Sequence, residues 1–253
     1  MTDFITVEDR DRVRTVRFNR PDKKNAITAA MYASLAGAIE TADDDPDVRA
    51  IAFLGTEGCF TAGNDILDFL SIAQGGDGLG ADVLRFLHAL ASSQTPLVAG
   101  VDGIAIGVGT TMLFHCDMAL ATDRALFKTP FLDLGLVPEA ASTLLFPKRM
   151  GYARAFEMLC LGEAVGPERA VETGFINRIV AADTLETETR ALAERIAARP
   201  PSALRLSRQM MRADTPQIHA RIDEEADHFK SCLSSEEATE AFMAFTQKRK
   251  PNF

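Results

Sequence analysis

The sequence predicts an α/β fold with a parallel sheet, closed by helices at its C-terminal end. Three observations carry this prediction. Short unbroken apolar runs at Ala50–Leu54, Leu97–Val101 and 118–121 have the composition of strands buried on both faces. Segments with helical spacing lie between these runs, and the alternation is that of βα units. From about Ala140 onward only 176–180 still reads as a strand, and helical patterns take over.

The elements follow in order. Ile5 and Val7, a charged turn at 9–11, and then Val13–Phe18 with interleaved arginines predict a hairpin. After Pro21, Thr28 stands where a helix cap is wanted, and Met31, Leu35, Ile39 and Ala42 recur behind it at helical spacing. An acidic turn at 43–47 ends that helix. Val83, Leu84, Leu87 and Leu90 mark the next one, preceded by the glycine-rich stretch 74–80 (QGGDGLG), whose plain reading is a surface connection. In the tail, Leu185, Thr189, Leu192 and Ile196 share one helical face. Pro200 and Pro201 restart the chain into a second helix, and Ala238, Phe242 and Phe245 mark the last. A tail this small and amphipathic is expected to pack on the first part of the chain or on a neighbouring subunit.

Composition narrows the function classes. The chain has 253 residues, of which 47% are apolar, enough for one large domain with a C-terminal appendage. With 27 basic against 36 acidic side chains the net charge is −9, which argues against a broad nucleic-acid surface. Cys59, Cys116, Cys160 and Cys232 form no CxxC pair and read as reduced thiols of a cytosolic protein. His88, His115, His219 and His228 lack zinc-site spacing, so packing or surface roles are expected and no metal is. The N-terminal residues show no basic segment followed by an apolar one, so no secretory signal is read and a cytoplasmic location is expected. The near-uncharged run 97–114 has membrane length. It contains Gly100, Asp102, Gly103, Gly107 and Gly109, however, and reads as strand, turn and helix start instead of a span.

Three stretches hold unusual local composition: 59–65 (CFTAGND), 101–117 (VDGIAIGVGTTMLFHCD) and 127–146 (FKTPFLDLGLVPEAASTLLF). The glycines of the second do not form a nicotinamide-dinucleotide fingerprint, because Met112 stands where a third glycine is wanted, and there is no GxxxxGK phosphate loop. Such glycines either permit close packing or leave backbone N–H groups open at a helix start. No nucleophile constellation appears: Ser142 and Thr143 have no histidine partner nearby in sequence, and no GxSxG elbow exists. Glu139 stands alone among apolar residues. It is either an exposed turn carboxylate after Pro138 or a base whose affinity for its proton is raised by desolvation.

Together, 19–27 (NRPDKKNAI), 60–65 (FTAGND), 101–117 and 129–146, with the ending 245–253 (FTQKRKPNF), resemble the crotonase superfamily, the enoyl-CoA hydratase/isomerase family, in order and spacing over essentially the whole chain. The resemblance implies a ClpP-like spiral of ββα turns forming two roughly perpendicular sheets, here 1–195, and a helical region, 196–253, that mediates trimer assembly. It also implies an acyl-CoA thioester substrate whose carbonyl sits between two backbone N–H groups, those of Asn64 and Val108. Hydratases of the family carry two glutamates at the positions that are Thr111 and Phe131 here, whereas Glu139 matches the single glutamate of the Δ3,Δ2-enoyl-CoA isomerases. The motifs 60–65 and 129–139 look especially like the peroxisomal-type isomerases and their bacterial relatives, enzymes of fatty-acid β-oxidation. CoA contacts map to Lys24, Ala26, Ala62, Asp65 and Ile66, and Thr111, Phe131 and Leu136 complete the expected substrate-binding set. Lys23, Lys24 and the 248–250 cluster either meet CoA phosphates or are solvated charge. The expectation is an isomerase with Glu139 as its acid/base, no metal and no cofactor beyond the CoA of its substrate, acting as a homotrimer or dimer of trimers without nucleic-acid or membrane partners. Two alternatives stay open: a weak hydratase or other single-carboxylate enolate chemistry, and a catalytically silent acyl-CoA-binding subunit.

Overall fold

The structure is a computed structural model that describes residues 2–65, 79–212, 215–247 and 249–253. The chain opens with the hairpin β1 (Ile5–Arg10) and β2 (Val13–Phe18), paired antiparallel from Ile5↔Phe18 to Arg10↔Val13. Its turn falls one step later than the charge pattern suggests: Asp11 and Arg12 both adopt left-handed backbone, matching the twist of a two-residue hairpin. Next come α1 (Ala29–Asp44), β3 (Ala50–Leu54), β4 (Cys59–Thr61), α2 (Ala81–Ser92), β5 (Leu97–Val101), β6 (Ile104–Ile106) and the single turn α3 (Val108–Thr111). Thr28 occupies the cap position of α1 without donating or accepting through its side chain.

The pattern then repeats with β7 (Met118–Thr122) and β8 (Leu126–Lys128), followed by α4 (Ser142–Met150), α5 (Tyr152–Leu159) and α6 (Pro167–Glu172). The strand β9 (Arg178–Val180) precedes α7 (Leu185–Ala197), α8 (Pro201–Met211), α9 (Thr215–Leu233) and α10 (Glu236–Thr246).

Two sheets share the strands by turns. The larger has the order β1-β2-β3-β5-β7-β9, parallel from β2 onward, and the smaller has the order β4-β6-β8, all parallel. The chain therefore lays one strand in the large sheet, steps to the small one, returns through helical chain and begins again one rung further along. That is a ββα spiral. Every residue of β3 and β5 is buried, as expected of strands covered on both faces.

The two faces of the large sheet have separate cores. On one, Met31, Leu35 and Ile39 of α1 meet Phe53, Phe86, Leu87 and Leu90 in the main core. On the other, Leu185, Leu192 and Ala193 of α7 cover Val13, Ala50, Ala52, Val98 and Leu120. Burying each of these α7 leucines is worth about 2 kcal/mol, so α7 belongs to the sheet it covers. The expected division at 195/196 falls inside this helix. The long helix α9, not anticipated as a separate element, packs on α2 and α4, so the tail does rest on the first part of the chain. Of the glycine-rich stretch, 74–78 lie outside the described residues; Leu79 is buried and Gly80 precedes α2. Among the described residues no helix is long and apolar enough to cross a membrane.

Candidate active site

The small sheet brings the two glycine-containing motifs side by side. Strands β4 and β6 pair in parallel with Thr61 opposite Ala105, and Asn64 and Val108 each lie three residues further on. Asn64 bridges Ile27 in parallel: Ile27 N–H donates to Gly63 O at 2.8 Å, and Asp65 N–H donates to Ile27 O at 2.9 Å. This arrangement turns the Asn64 N–H away from Ile27, and it has no backbone partner among the described residues. Val108 opens α3, where the N–H groups of Thr110 and Thr111 return to Gly107 O while those of Val108 and Gly109 find no backbone acceptor among the described residues.

Only glycine lets the segments come this close. Gly63 has φ +82°, and a Cβ there would lie 2.8 Å from Ile106 O; a Cβ on Gly109 would lie 2.5 Å from Thr61 Cγ2.

The motif at 19–27 is tied to the same strand ends. Asn25, fully buried with φ +55°, donates through Nδ2 to Cys59 O at 2.9 Å, Phe60 O at 3.1 Å and Thr56 Oγ1 at 2.9 Å, and its Oδ1 accepts from Arg20 N–H at 2.8 Å. Arg20 also pairs with Asp65 at 2.6 Å and donates to Ala26 O at 2.9 Å, while Ala62 N–H donates to Lys24 O at 2.9 Å. Lys24, Ala26, Ala62 and Asp65 are thereby gathered on one rim, with Lys23 and Lys24 exposed. Ile66 and Lys248 lie outside the described residues.

Glu139 sits between a short 3₁₀ turn (Leu132–Leu134) and α4, and is only 2% exposed. Its Oε1 accepts from Thr111 Oγ1 at 2.6 Å, and its Oε2 is buried with no hydrogen-bond partner among the described residues. Burial raises its pKa from 4.5 to about 8; the Thr111 hydrogen bond opposes this and the nearby Glu225 carboxylate adds to it.

The loop carrying Glu139 is strained and braced. Ala140 and Ala141 both have positive φ, +61° and +54°, a conformation that costs a residue with a Cβ on the order of 1 kcal/mol. His115 Nε2–H donates to Ala140 O at 2.8 Å, and Glu225 of α9 accepts from Thr143 N–H at 2.9 Å and Thr143 Oγ1 at 2.6 Å. Burial holds His115 neutral, with its pKa lowered to about 3, and lifts the Glu225 carboxyl to about 7. Phe131 and Leu136 are buried beside this loop and joined by Leu136 N–H donating to Phe131 O at 2.9 Å.

The structure thus sets Asn64 and Val108 at matching steps beyond paired strands and places Thr111, in the same short helix as Val108, in contact with Glu139. Thr111, expected to line the substrate, turns its hydroxyl to Glu139. Three neighbours of these residues escaped the sequence reading. His115 and Glu225 brace the loop that carries Glu139 from other elements. Tyr32, on the apolar side of α1, donates its hydroxyl to Asn64 Oδ1. Tyr32 is buried, which with the Glu139 charge raises its pKa well above the ordinary phenol value.

A spiral of ββα turns that carries two backbone N–H groups without backbone partners and a buried carboxylate defines a class, and comparison with known proteins names it. The enoyl-CoA hydratase/isomerase family model matches residues 8–253, and this chain belongs to that family. Enoyl-CoA delta isomerase 2 of Rattus norvegicus is 37% identical over 250 residues; the match covers 97% of this chain and 64% of the rat protein. The probable enoyl-CoA hydratase echA8 of Mycobacterium bovis is 32% identical, with 98% of this chain and 97% of that protein covered. The crystal structure of an enoyl-CoA hydratase/isomerase from Pseudoalteromonas atlantica superposes with a TM-score of 0.94 at 37% identity, covering 99% of this chain and all of that one. Relatives named isomerase and relatives named hydratase thus stand at similar distances.

Proposed function

We propose that the protein is a Δ3,Δ2-enoyl-CoA isomerase. The observation that carries this reading is Glu139: a buried carboxylate with one oxygen fixed by Thr111 and the other without a hydrogen-bond partner among the described residues. In this reading the thioester oxygen lies between the Asn64 and Val108 N–H groups. Glu139 takes a proton from C2 of a 3-enoyl thioester, the C–H electron pair passes into the conjugated system as a dienolate, and the proton is returned at C4. The double bond then lies between C2 and C3 and the carbonyl is restored. Each backbone donor contributes on the order of 3 kcal/mol as negative charge develops on the oxygen. The dry surroundings keep the proton from water and hold the base near a working pKa.

Hydration needs a second carboxyl to orient water. Thr111 and Phe131 offer none; Glu225, also buried, accepts from Thr143 through Oε1 while its Oε2 has no partner among the described residues, so the comparison of two substrates below decides between the readings. The rim of Lys24, Ala26, Ala62 and Asp65, with Ile66, receives the CoA moiety, and Phe131 and Leu136 face the acyl chain. The protein works without metal or nicotinamide cofactor, in the cytoplasm, as a homotrimer or dimer of trimers. Leu206, Met210 and Met211, exposed along α8, support self-association, which sedimentation velocity measures. The deciding experiment is incubation with 3-hexenoyl-CoA and, separately, with trans-2-hexenoyl-CoA. Conjugated 2-enoyl thioester should appear from the first faster than 3-hydroxyacyl-CoA appears from the second, and the reverse order would overturn the reading.

A further inference from the structure

We infer that Tyr32 is a positioning residue of the oxyanion hole, acting on the Asn64 donor through the Asn64 side chain. The inference rests on the reading that the Asn64 and Val108 N–H groups hold the thioester oxygen, and adds a part that neither motif contains.

The Asn64 N–H can serve only if the peptide between Gly63 and Asn64 keeps its orientation. On one side the Ile27 bridge fixes it, through the Gly63 carbonyl and the Asp65 N–H. On the other side the hold is a single side-chain contact, the Tyr32 hydroxyl donating to Asn64 Oδ1. Tyr32 is a rigid post. It is 2% exposed, its ring lies 5.6 Å from that of Phe86, and it belongs to the main core through α1. The Glu139 charge acts on the phenol, which gives the contact a second consequence. A phenol whose hydrogen is committed to Asn64 neither donates to the base nor competes with it for the substrate proton, and burial together with the Glu139 charge keeps that hydrogen in place. The α1 core is in this way rigidly coupled to the atom that carries the enolate charge.

The test compares Tyr32→Phe, Asn64→Ala and the double variant, each confirmed as folded by circular dichroism. Tyr32→Phe keeps the ring packing; Asn64→Ala removes the acceptor from the other side and leaves the backbone N–H in place. Two readouts are taken: kcat and KM with 3-hexenoyl-CoA, and the near-ultraviolet enolate absorbance of bound acetoacetyl-CoA across pH. The expected result for Tyr32→Phe is a fall in kcat of about ten-fold, the worth of one hydrogen bond, with KM changed less than about two-fold. The bound acetoacetyl-CoA should ionise about one pH unit higher, and adding Tyr32→Phe to Asn64→Ala should change neither readout further. Wild-type enolate absorbance in Tyr32→Phe, or multiplicative effects in the double variant, would overturn the proposal. Because the enolate readout needs no double-bond shift, it decides the role of Tyr32 even if the parent enzyme proves not to be an isomerase. A parent that binds acetoacetyl-CoA without stabilising its enolate would remove the oxyanion hole and this proposal together.

Discussion

Exchanging Glu139 for glutamine keeps the volume of the side chain and an acceptor for the Thr111 hydroxyl, but removes the ionisable proton. The magnitude follows from the site. Burial lifts the Glu139 carboxyl from 4.5 to about 8, and each pH unit of such a difference is worth about 1.4 kcal/mol, so holding the ionised form costs on the order of 5 kcal/mol. The folded protein binds this proton more tightly than the unfolded chain. The stabilisation is therefore complete below pH 4.5 and is lost as pH rises toward about 8. Glutamine suffers no such loss. Between about pH 6 and about pH 8 the parent should lose about 2 kcal/mol relative to Glu139→Gln, a gap of roughly 5–10 °C in midpoint. Glu225, lifted to about 7 and coupled to Glu139, adds its own pH dependence to the parent, so the comparison is repeated in a Glu225→Gln background. Turnover moves the opposite way: parent activity rises with pH as the base ionises through about 8, while the glutamine variant is slower by roughly 10²–10⁴-fold. Paired thermal melts and 3-hexenoyl-CoA assays over this range measure both. Melting curves that stay parallel with pH, or undiminished turnover in Glu139→Gln, would refute the argument.

Val108→Ala keeps the backbone donor and should retain most activity, whereas Val108→Pro deletes it and should cost about a hundred-fold or more in kcat; equal rates in two folded variants would exclude Val108 N–H from the site. Thr111→Val removes the hydrogen bond that lowers the Glu139 pKa, so the rising limb of the kcat/KM profile should move to higher pH by about one unit, read from a pH–rate series. Asn25→Ala leaves Cys59 O and Phe60 O without their side-chain donor and puts alanine at φ +55°. It should destabilise the protein by about 2–4 kcal/mol in urea titration and raise KM for the thioester by disordering the rim.

Legibility differed between the sheets for a physical reason. The runs that became β3, β5 and β7 are apolar throughout because both faces of the large sheet are covered, and this shows in composition alone. Strands β4, β6 and β8 have three residues each, too short for any periodicity, so the step from one sheet to the other was implied only by resemblance to a family. In α9 the buried stripe runs Ile218, Ile222, Glu225, Phe229, and a glutamate inside an apolar stripe hides it. The candidate site divides similarly. Glu139 and the donor positions sit in motifs of odd local composition. Tyr32 and Glu225 reach the site from stretches of ordinary composition, whereas His115 lies within 101–117 but nothing in the sequence shows that it meets Ala140.

Asn64 and Val108 each stand three residues beyond the paired Thr61 and Ala105, so two adjacent strands, about 4.8 Å apart in any sheet, deliver the segments that carry the two donors. In the proposed reading the oxyanion hole is thus made of backbone donors that the ladder delivers. Any residue except proline can stand at 64 or 108 without erasing the donor. Position 108 is consequently open to retuning for acyl groups of other shape, whereas position 64 must also keep an acceptor for the Tyr32 hydroxyl.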